Sequence, residues 1–203
     1  MVEEREEKQR ERLFVALDLP RMVREDIVAW GETRLVDPAL RRVPLESLHV
    51  TLAFLGDRPL SDVEPISEVI EWFAEVPVLL ELGGPVGRPE GGRTRFVALP
   101  VTPGPVERLG TELREALAFE GLYEPEDRSF WPHVTVARVR SEGGGSRRPR
   151  RVEIPSGASP THRTGWFNAV RISLYRSELQ SRGARYVPLA QVELPAPGGS
   201  EVI

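Results

Sequence analysis

Two segments of this chain carry the same pattern of residues able to do chemistry. His49-Val50-Thr51-Leu52-Ala53 and His133-Val134-Thr135-Val136-Ala137 both read His-Val-Thr-apolar-Ala, 84 positions apart (133 − 49). Each has the apolar alternation of a strand, in which successive side chains point to opposite faces. His49, Thr51 and Ala53 then share one face, and Val50, Leu52 and Phe54 share the other, which should be core. In the second copy His133, Thr135 and Ala137 lie together, opposite Val134 and Val136. Each strand displays an imidazole, a hydroxyl, and a small residue that leaves space. Two such strands facing each other across a cleft would set two imidazoles around one concave site.

Paired imidazoles suit in-line displacement at phosphorus. That reaction needs a base for the attacking oxygen and an acid for the leaving oxygen. Histidine titrates near neutral pH, so one ring can accept a proton while the other donates. The two threonine hydroxyls can donate hydrogen bonds to non-bridging phosphoryl oxygens. The arrangement requires no metal and no other cofactor. A metal site would call for a further ligand, commonly a carboxylate, and the motif face offers none.

Composition narrows the choice. The chain has 203 residues, no Cys and three His. Thiol nucleophiles, disulfides and Cys-ligated metals are excluded, and two of the three imidazoles sit in the repeated motif. The third, His162, lies in His162-Arg163-Thr164 between Ser159-Pro160 and Gly165. It reads as an exposed loop residue outside the chemistry. No G-x-S-x-G serine elbow occurs, and the run at 143–145 lacks the GK[ST] of a phosphate loop.

The elements that must position these residues read as an α+β mixture. Strands are expected at 12–20, 47–57 (stopped by Gly56 and Asp57), 76–82, 94–101, 129–140, 152–154, 166–175 and 186–194. Helices are expected from Pro20 to about Leu35 through Met22, Val23, Ile27 and Trp30, and from an N-cap at Ser61 to Ala74. A third runs from Pro105 to Phe119. The stretch between the third and fourth strands reads as turn. Residues 143–151, rich in Gly and Arg, read as a flexible basic loop. The 84-residue repeat suggests two lobes, each supplying one motif strand. Residues 1–11 and 197–203 read as tails around a single bilobal domain at 12–196.

The net charge of −4 argues against broad nonspecific affinity for RNA, although Lys8 is the only lysine and nearly all cations are arginine. No run is apolar enough to cross a membrane, and the charged start MVEEREEKQRERL has no secretory character. A cytoplasmic monomer without membrane contacts is the expectation.

As a set, RLFVALDLP (12–20), SLHVTLAFLGD (47–57), FWPHVTVARVR (130–140), LYRSEL (174–179) and GARYVPLA (183–190) resemble the 2H phosphoesterase superfamily. The nearer likeness is to its RNA 2′,3′-cyclic phosphodiesterases, also called 2′-5′ RNA ligases. The resemblance implies two pseudo-symmetric lobes of mainly antiparallel sheet with outer helices and an active site in the central groove. It implies hydrolysis of RNA or nucleotide 2′,3′-cyclic phosphate ends to a 2′-phosphomonoester. His49 would be the proton donor and His133 the proton acceptor, with Thr51 and Thr135 holding the phosphate. Phe14 resembles an aromatic near the nucleobase, and Arg138 an arginine that approaches the substrate. Strict alternation puts Arg138 on the face away from His133, so its role requires a bulge. Ala53 and Trp131 depart from the larger or basic residues common in relatives. The reverse reaction, 2′-5′ ligation, and a non-catalytic nucleotide-binding module remain open at this point.

Overall fold

The computed structural model describes residues 10–90, 93–102, 104–143, 146–157, 160, 165–180 and 183–196. Of the expected tails, residues 1–9 and 197–203 lie outside them, as does His162, whereas Arg10 and Glu11 pair with Pro59 and Arg58 in the first strand and are not tail.

The first strand, β1 (Arg10–Asp18), buries five consecutive residues, as its unbroken apolar run requires of a strand covered on both faces. Pro20 precedes α1 (Arg21–Arg34), which buries Val23, Ile27 and Gly31. Met22 stays exposed, against the expectation from spacing. A short strand, β2 (Leu40–Arg42), follows, then β3 (His49–Pro59). Residues 60–62 form a 3₁₀ turn, and α2 (Val63–Trp72) starts after Asp62, so Ser61 is not the cap.

The second half of the chain runs through β4 (Leu79–Leu80), β5 (Val86–Arg88), β6 (Phe96–Pro100), α3 (Pro105–Phe119) and β7 (His133–Val139). It closes with β8 (Ser141–Gly143), β9 (Ser146–Pro149), β10 (Phe167–Asn168), β11 (Arg171–Gln180) and β12 (Gly183–Glu193).

The arrangement is the expected α+β mixture. Eight strands join one sheet in the order β12-β11-β1-β3-β7-β6-β5, with β2 also on β7. Every strand pairing among the described residues is antiparallel. The two motif strands are the seam of this sheet. β3 and β7 pair at one position, Val50 opposite Val134. Beyond it β2 takes the place of β3 along the same edge of β7. The sheet is therefore two halves hinged where the histidines stand.

One face of the sheet carries the core. Val15, Leu17, Val50, Leu52, Val134, Val136, Ile172 and Leu174 join Val23, Ile27, Ile66, Ile70, Val106, Leu113 and Leu117 from the helices in one apolar cluster. α2 packs on β11 and β12, and α3 on β3 and β4. Several boundaries differ from the sequence reading. β3 runs past Gly56 to Pro59, because Gly56 takes a positive φ within the ladder and pairs with Leu13. The span 76–82 keeps only two strand residues and 152–154 none, whereas the presumed turn contains β5. Part of the basic loop is a hairpin, β8 against β9, anchored where Arg93 meets Glu142 and the Pro149 carbonyl.

Candidate active site

The site is built from a backbone device used twice. On β3 the pairing with β1 runs Ala16–Thr51, then Val15–Ala53, so Leu52 is an extra, unpaired residue. On β7 the pairing with β6 runs Ala98–Thr135, then Val97–Ala137, so Val136 is the extra one. Both are bulges at the same motif position, and a bulge reverses the alternation beyond it. Before the bulge, His49, Thr51, His133 and Thr135 face the same cavity. After it, Ala53 and Ala137 turn into the core and the next residues, Phe54 and Arg138, turn toward the site. This corrects the strict parity: Phe54 is 57% exposed and Ala53 only 3%. The same bulge supplies the condition that Arg138 needed.

The cavity holds about 420 Å³. All six site residues singled out in the sequence line it: His49, His133, Thr51, Thr135, Phe14 and Arg138. Sequence reasoning missed Arg12, Arg41, Phe54 and Tyr186, which line it too. A larger, open depression of about 710 Å³ lies between the end of α1 and residues 153–156, and contains no histidine.

His49 sits in an aromatic cage. Its ring centroid is 5.0 Å from that of Phe14, 5.2 Å from Tyr186 and 6.3 Å from Tyr175. Its Nε2 is 3.1 Å from the Thr51 hydroxyl, and the ring also hydrogen-bonds the backbone of Ser47. Phe14 is only 3% exposed, stacked on Tyr175 and edge-on to Tyr186, so it forms the floor of the cage. Asp18 holds the cage from behind. It accepts hydrogen bonds from the Tyr175 hydroxyl at 2.8 Å and the Ser173 hydroxyl at 2.9 Å, and meets Arg171. Burial raises the pKa of Asp18, and burial with the adjacent Asp18 pushes Tyr175 up to about 12.

His133 has different company. Its Nδ1 lies 2.8 Å from the Trp131 carbonyl, which only accepts, so Nδ1 carries the hydrogen and Nε2 is left to face substrate. Its ring stacks on Trp131 at 4.2 Å and faces Phe96 at 5.7 Å. The Arg88 guanidinium lies 4.2 Å from the same indole. Close packing behind this segment depends on Gly110 of α3, where a Cβ would come within 2.2 Å of the Phe130 ring.

Both imidazoles favour the neutral form. Burial lowers the pKa of His49 to about 4, helped by the charges of His133 and Arg138. Burial also lowers that of His133, and Arg88 and Arg138 lower it further. Among the described residues no three His, Cys, Asp or Glu side chains converge as a metal site would need.

A family model, the 2′-5′ RNA ligase superfamily, matches residues 19–144. This chain belongs to that superfamily. Among curated relatives, the RNA 2′,3′-cyclic phosphodiesterase of Escherichia coli K12 is 31% identical over 88% of this chain and 94% of its own. The protein of that name from Thermus thermophilus is 30% identical over 94% of this chain and 93% of its own. Among solved structures, E. coli LigT complexed with 3′-AMP superposes with a TM-score of 0.70, at 26% identity over 93% of this chain and 100% of that one. Within this superfamily chain, the pairing reveals a second repeat. Phe-Val-Ala-Leu stands at 14–17 on β1 and again at 96–99 on β6, 82 positions apart (96 − 14). Phe14 is thus the counterpart of Phe96, and Phe54 the counterpart of Arg138.

Proposed function

We propose that this chain hydrolyses the 2′,3′-cyclic phosphate at an RNA or nucleotide end to a 2′-phosphomonoester. The carrying observation is two imidazoles, each with a threonine hydroxyl two residues on, lining one cavity from the two halves of the sheet. The names of the curated relatives support the same substrate class.

The cyclic phosphodiester binds as a monoanion between the two strands, with the Thr51 and Thr135 hydroxyls donating to its non-bridging oxygens. Nε2 of His133 takes a proton from water as the water oxygen bonds to phosphorus. The bond from phosphorus to the 3′ oxygen breaks, and His49 gives that oxygen its proton. The product holds a 3′-hydroxyl and a 2′-phosphate, and the two imidazoles have exchanged protonation states. One further proton exchange with solvent restores them.

His49 must be protonated for this step, while burial holds it neutral in the free protein. The arriving anion offsets that burial, because a nearby negative charge favours an imidazolium. The Phe14 ring, 5.0 Å from His49 and tilted by 32°, favours a cation there as well. Arg138 opposes one at both rings and Arg88 at His133 alone. That difference, with the bound anion, supports His49 as the donor. The nucleobase lies toward the exposed ring of Phe54, above the cage floor formed by Phe14.

The test is incubation with adenosine 2′,3′-cyclic phosphate in EDTA, followed by phosphorus NMR of the product. Adenosine 2′-phosphate is expected. The 3′-phosphate, or activity lost to the chelator, contradicts the reading. Tight product binding without turnover would instead support a binding module.

A further inference from the structure

A strongly charged surface outside the reacting centre lies where β7 ends. Between positions 138 and 151 the chain carries six arginines and a single acid, Glu142, although its net charge is −4. Glu142 is held by Arg93, whose guanidinium also donates to the Pro149 carbonyl. Arg140, Arg147, Arg148, Arg150 and Arg151 are exposed, and none forms an ion pair among the described residues. Exposed arginines on the helices are instead neutralised one turn away, Arg21 by Glu25 and Arg108 by Glu112.

Strand register ties this surface to the cavity. Arg138 belongs to the reacting centre, where its charge acts on both imidazoles. Arg140 follows two residues later, roughly 7 Å further along the strand. β2 pairs Arg41 with Arg138, and the Arg140 amide then donates to the Ala39 carbonyl, so the ladder keeps its register past Arg138. With no second bulge between them, Arg140 projects to the same face as Arg138. The Arg150 amide donates in turn to the Arg140 carbonyl, and Ser141 pairs with Pro149. The β8–β9 hairpin therefore extends β7 outward from the arginine end of the cavity.

Unpaired like charges on one ribbon repel each other, and a bound polyanion relieves that repulsion. Guanidiniums spaced along an extended ribbon suit an anion whose charges repeat at intervals. Single-stranded RNA is such a ligand, with one phosphate per nucleotide, and the planar arginine fork fits phosphate oxygens in bidentate fashion. When the 2′,3′-cyclic phosphate of an RNA end sits between the two imidazoles, the rest of the strand must leave the cavity. The base occupies the Phe54 side, which leaves the arginine side for the strand.

We propose that Arg140 and the arginines of the β8–β9 hairpin and its exit, Arg147, Arg148, Arg150 and Arg151, form a track that binds the RNA strand upstream of its terminal nucleotide. The inference rests on the cyclic phosphodiesterase reading above and deepens it. The preferred substrate is an RNA end several nucleotides long, not a mononucleotide. Because the track meets phosphates and not base edges, it selects for strand length and not for sequence.

The experiment compares kcat/KM for adenosine 2′,3′-cyclic phosphate with that for an adenosine octanucleotide bearing the same cyclic end. The proteins are the natural chain, the double variant Arg147→Gln with Arg148→Gln, the single variant Arg140→Gln, and a charge-matched control, Arg21→Gln with Arg108→Gln. The natural chain is expected to prefer the octanucleotide by about 10-fold or more, as one charged hydrogen bond supplies, through KM and not kcat. The double variant reduces that preference several-fold and Arg140→Gln reduces it in part, the loss falling on the octanucleotide. The control keeps the preference. Thermal melts verify that each variant is folded. No preference in the natural chain, or an undiminished one in both the double variant and Arg140→Gln, overturns the track.

A binding arm follows the fluorescence anisotropy of a labelled octanucleotide ending in a 2′-phosphate across a potassium chloride series. The logarithm of affinity should fall linearly with that of salt concentration, with a slope shallower by about 0.7 for each phosphate contact that the double variant removes. A polyglutamate peptide that competes with the oligonucleotide at equal charge would overturn RNA as the occupant. Absence of all turnover, with binding that still depends on Arg147 and Arg148, overturns the hydrolytic reading and leaves the track standing.

Discussion

The half-site around His49 and the half-site around His133 share a backbone and differ in what surrounds it. Each consists of a Phe-Val-Ala-Leu strand beside a His-Val-Thr-apolar-Ala strand, with the bulge at the same place. Past the bulge one strand presents Phe54 and the other Arg138. The outer neighbours differ likewise: Tyr175 lies opposite Phe14 on β11, and Arg88 opposite Phe96 on β5. One imidazole is therefore caged by aromatic rings, and the other lies among an indole and two guanidiniums. In the proposed reaction this repeated strand pair sets two like groups around one phosphorus atom, and the unequal neighbours assign one proton between them.

The largest expected effects come from breaking either half. His49→Ala and His133→Ala should each lower kcat by about 10²–10⁴-fold on a 2′,3′-cyclic nucleotide. The double variant should be little worse than the poorer single one, since the two act as a unit. Thr51→Val and Thr135→Val each remove one donor to the phosphoryl oxygens. Steady-state kinetics should show losses of about 10–10²-fold, mainly in kcat.

The pH dependence of stability sharpens the comparison further. The folded pKa of His49 is about 4, below the ordinary value of 6.5. Between those limits the unfolded chain binds the extra proton, so stability is complete above about pH 6.5 and falls as pH drops toward 4. The loss attributable to this residue is at most about 3 kcal/mol. Urea titrations from pH 7 to 4 should show that slope flattened in His49→Gln.

A smaller effect follows from the support behind the cage. Tyr175→Phe removes one hydrogen bond to Asp18, which keeps Ser173 and Arg171. About 1 kcal/mol of stability should be lost, and kcat changed little.

The chemistry was legible because it is written in short-range pattern. Two H-V-T runs in a chain with three histidines needed only strand alternation to become a site, and the need for a bulge at Arg138 followed from the same alternation. Phe54 was misplaced in the core because a bulge adds one residue to a ladder without marking itself in the local sequence. The second Phe-Val-Ala-Leu repeat, visible in the sequence, would have paired Phe54 with Arg138 and revealed the shared register. Arg41 was illegible for another reason. It sits on a three-residue strand whose existence depends on β7, a partner nearly 100 positions away along the chain. The hairpin inside the basic loop is set by a contact between residues 49 positions apart, Arg93 with Glu142.

The most direct measurement is nitrogen NMR of the imidazole rings at pH 7, in the free protein and with a non-hydrolysable 2′,3′-cyclic phosphonate analogue of the substrate bound. Both site histidines should be neutral in the free protein. On binding, His49 should gain a proton while His133 stays neutral with its hydrogen on Nδ1. A proton gained at His133 instead, or at neither ring, would contradict the division of labour between the two half-sites.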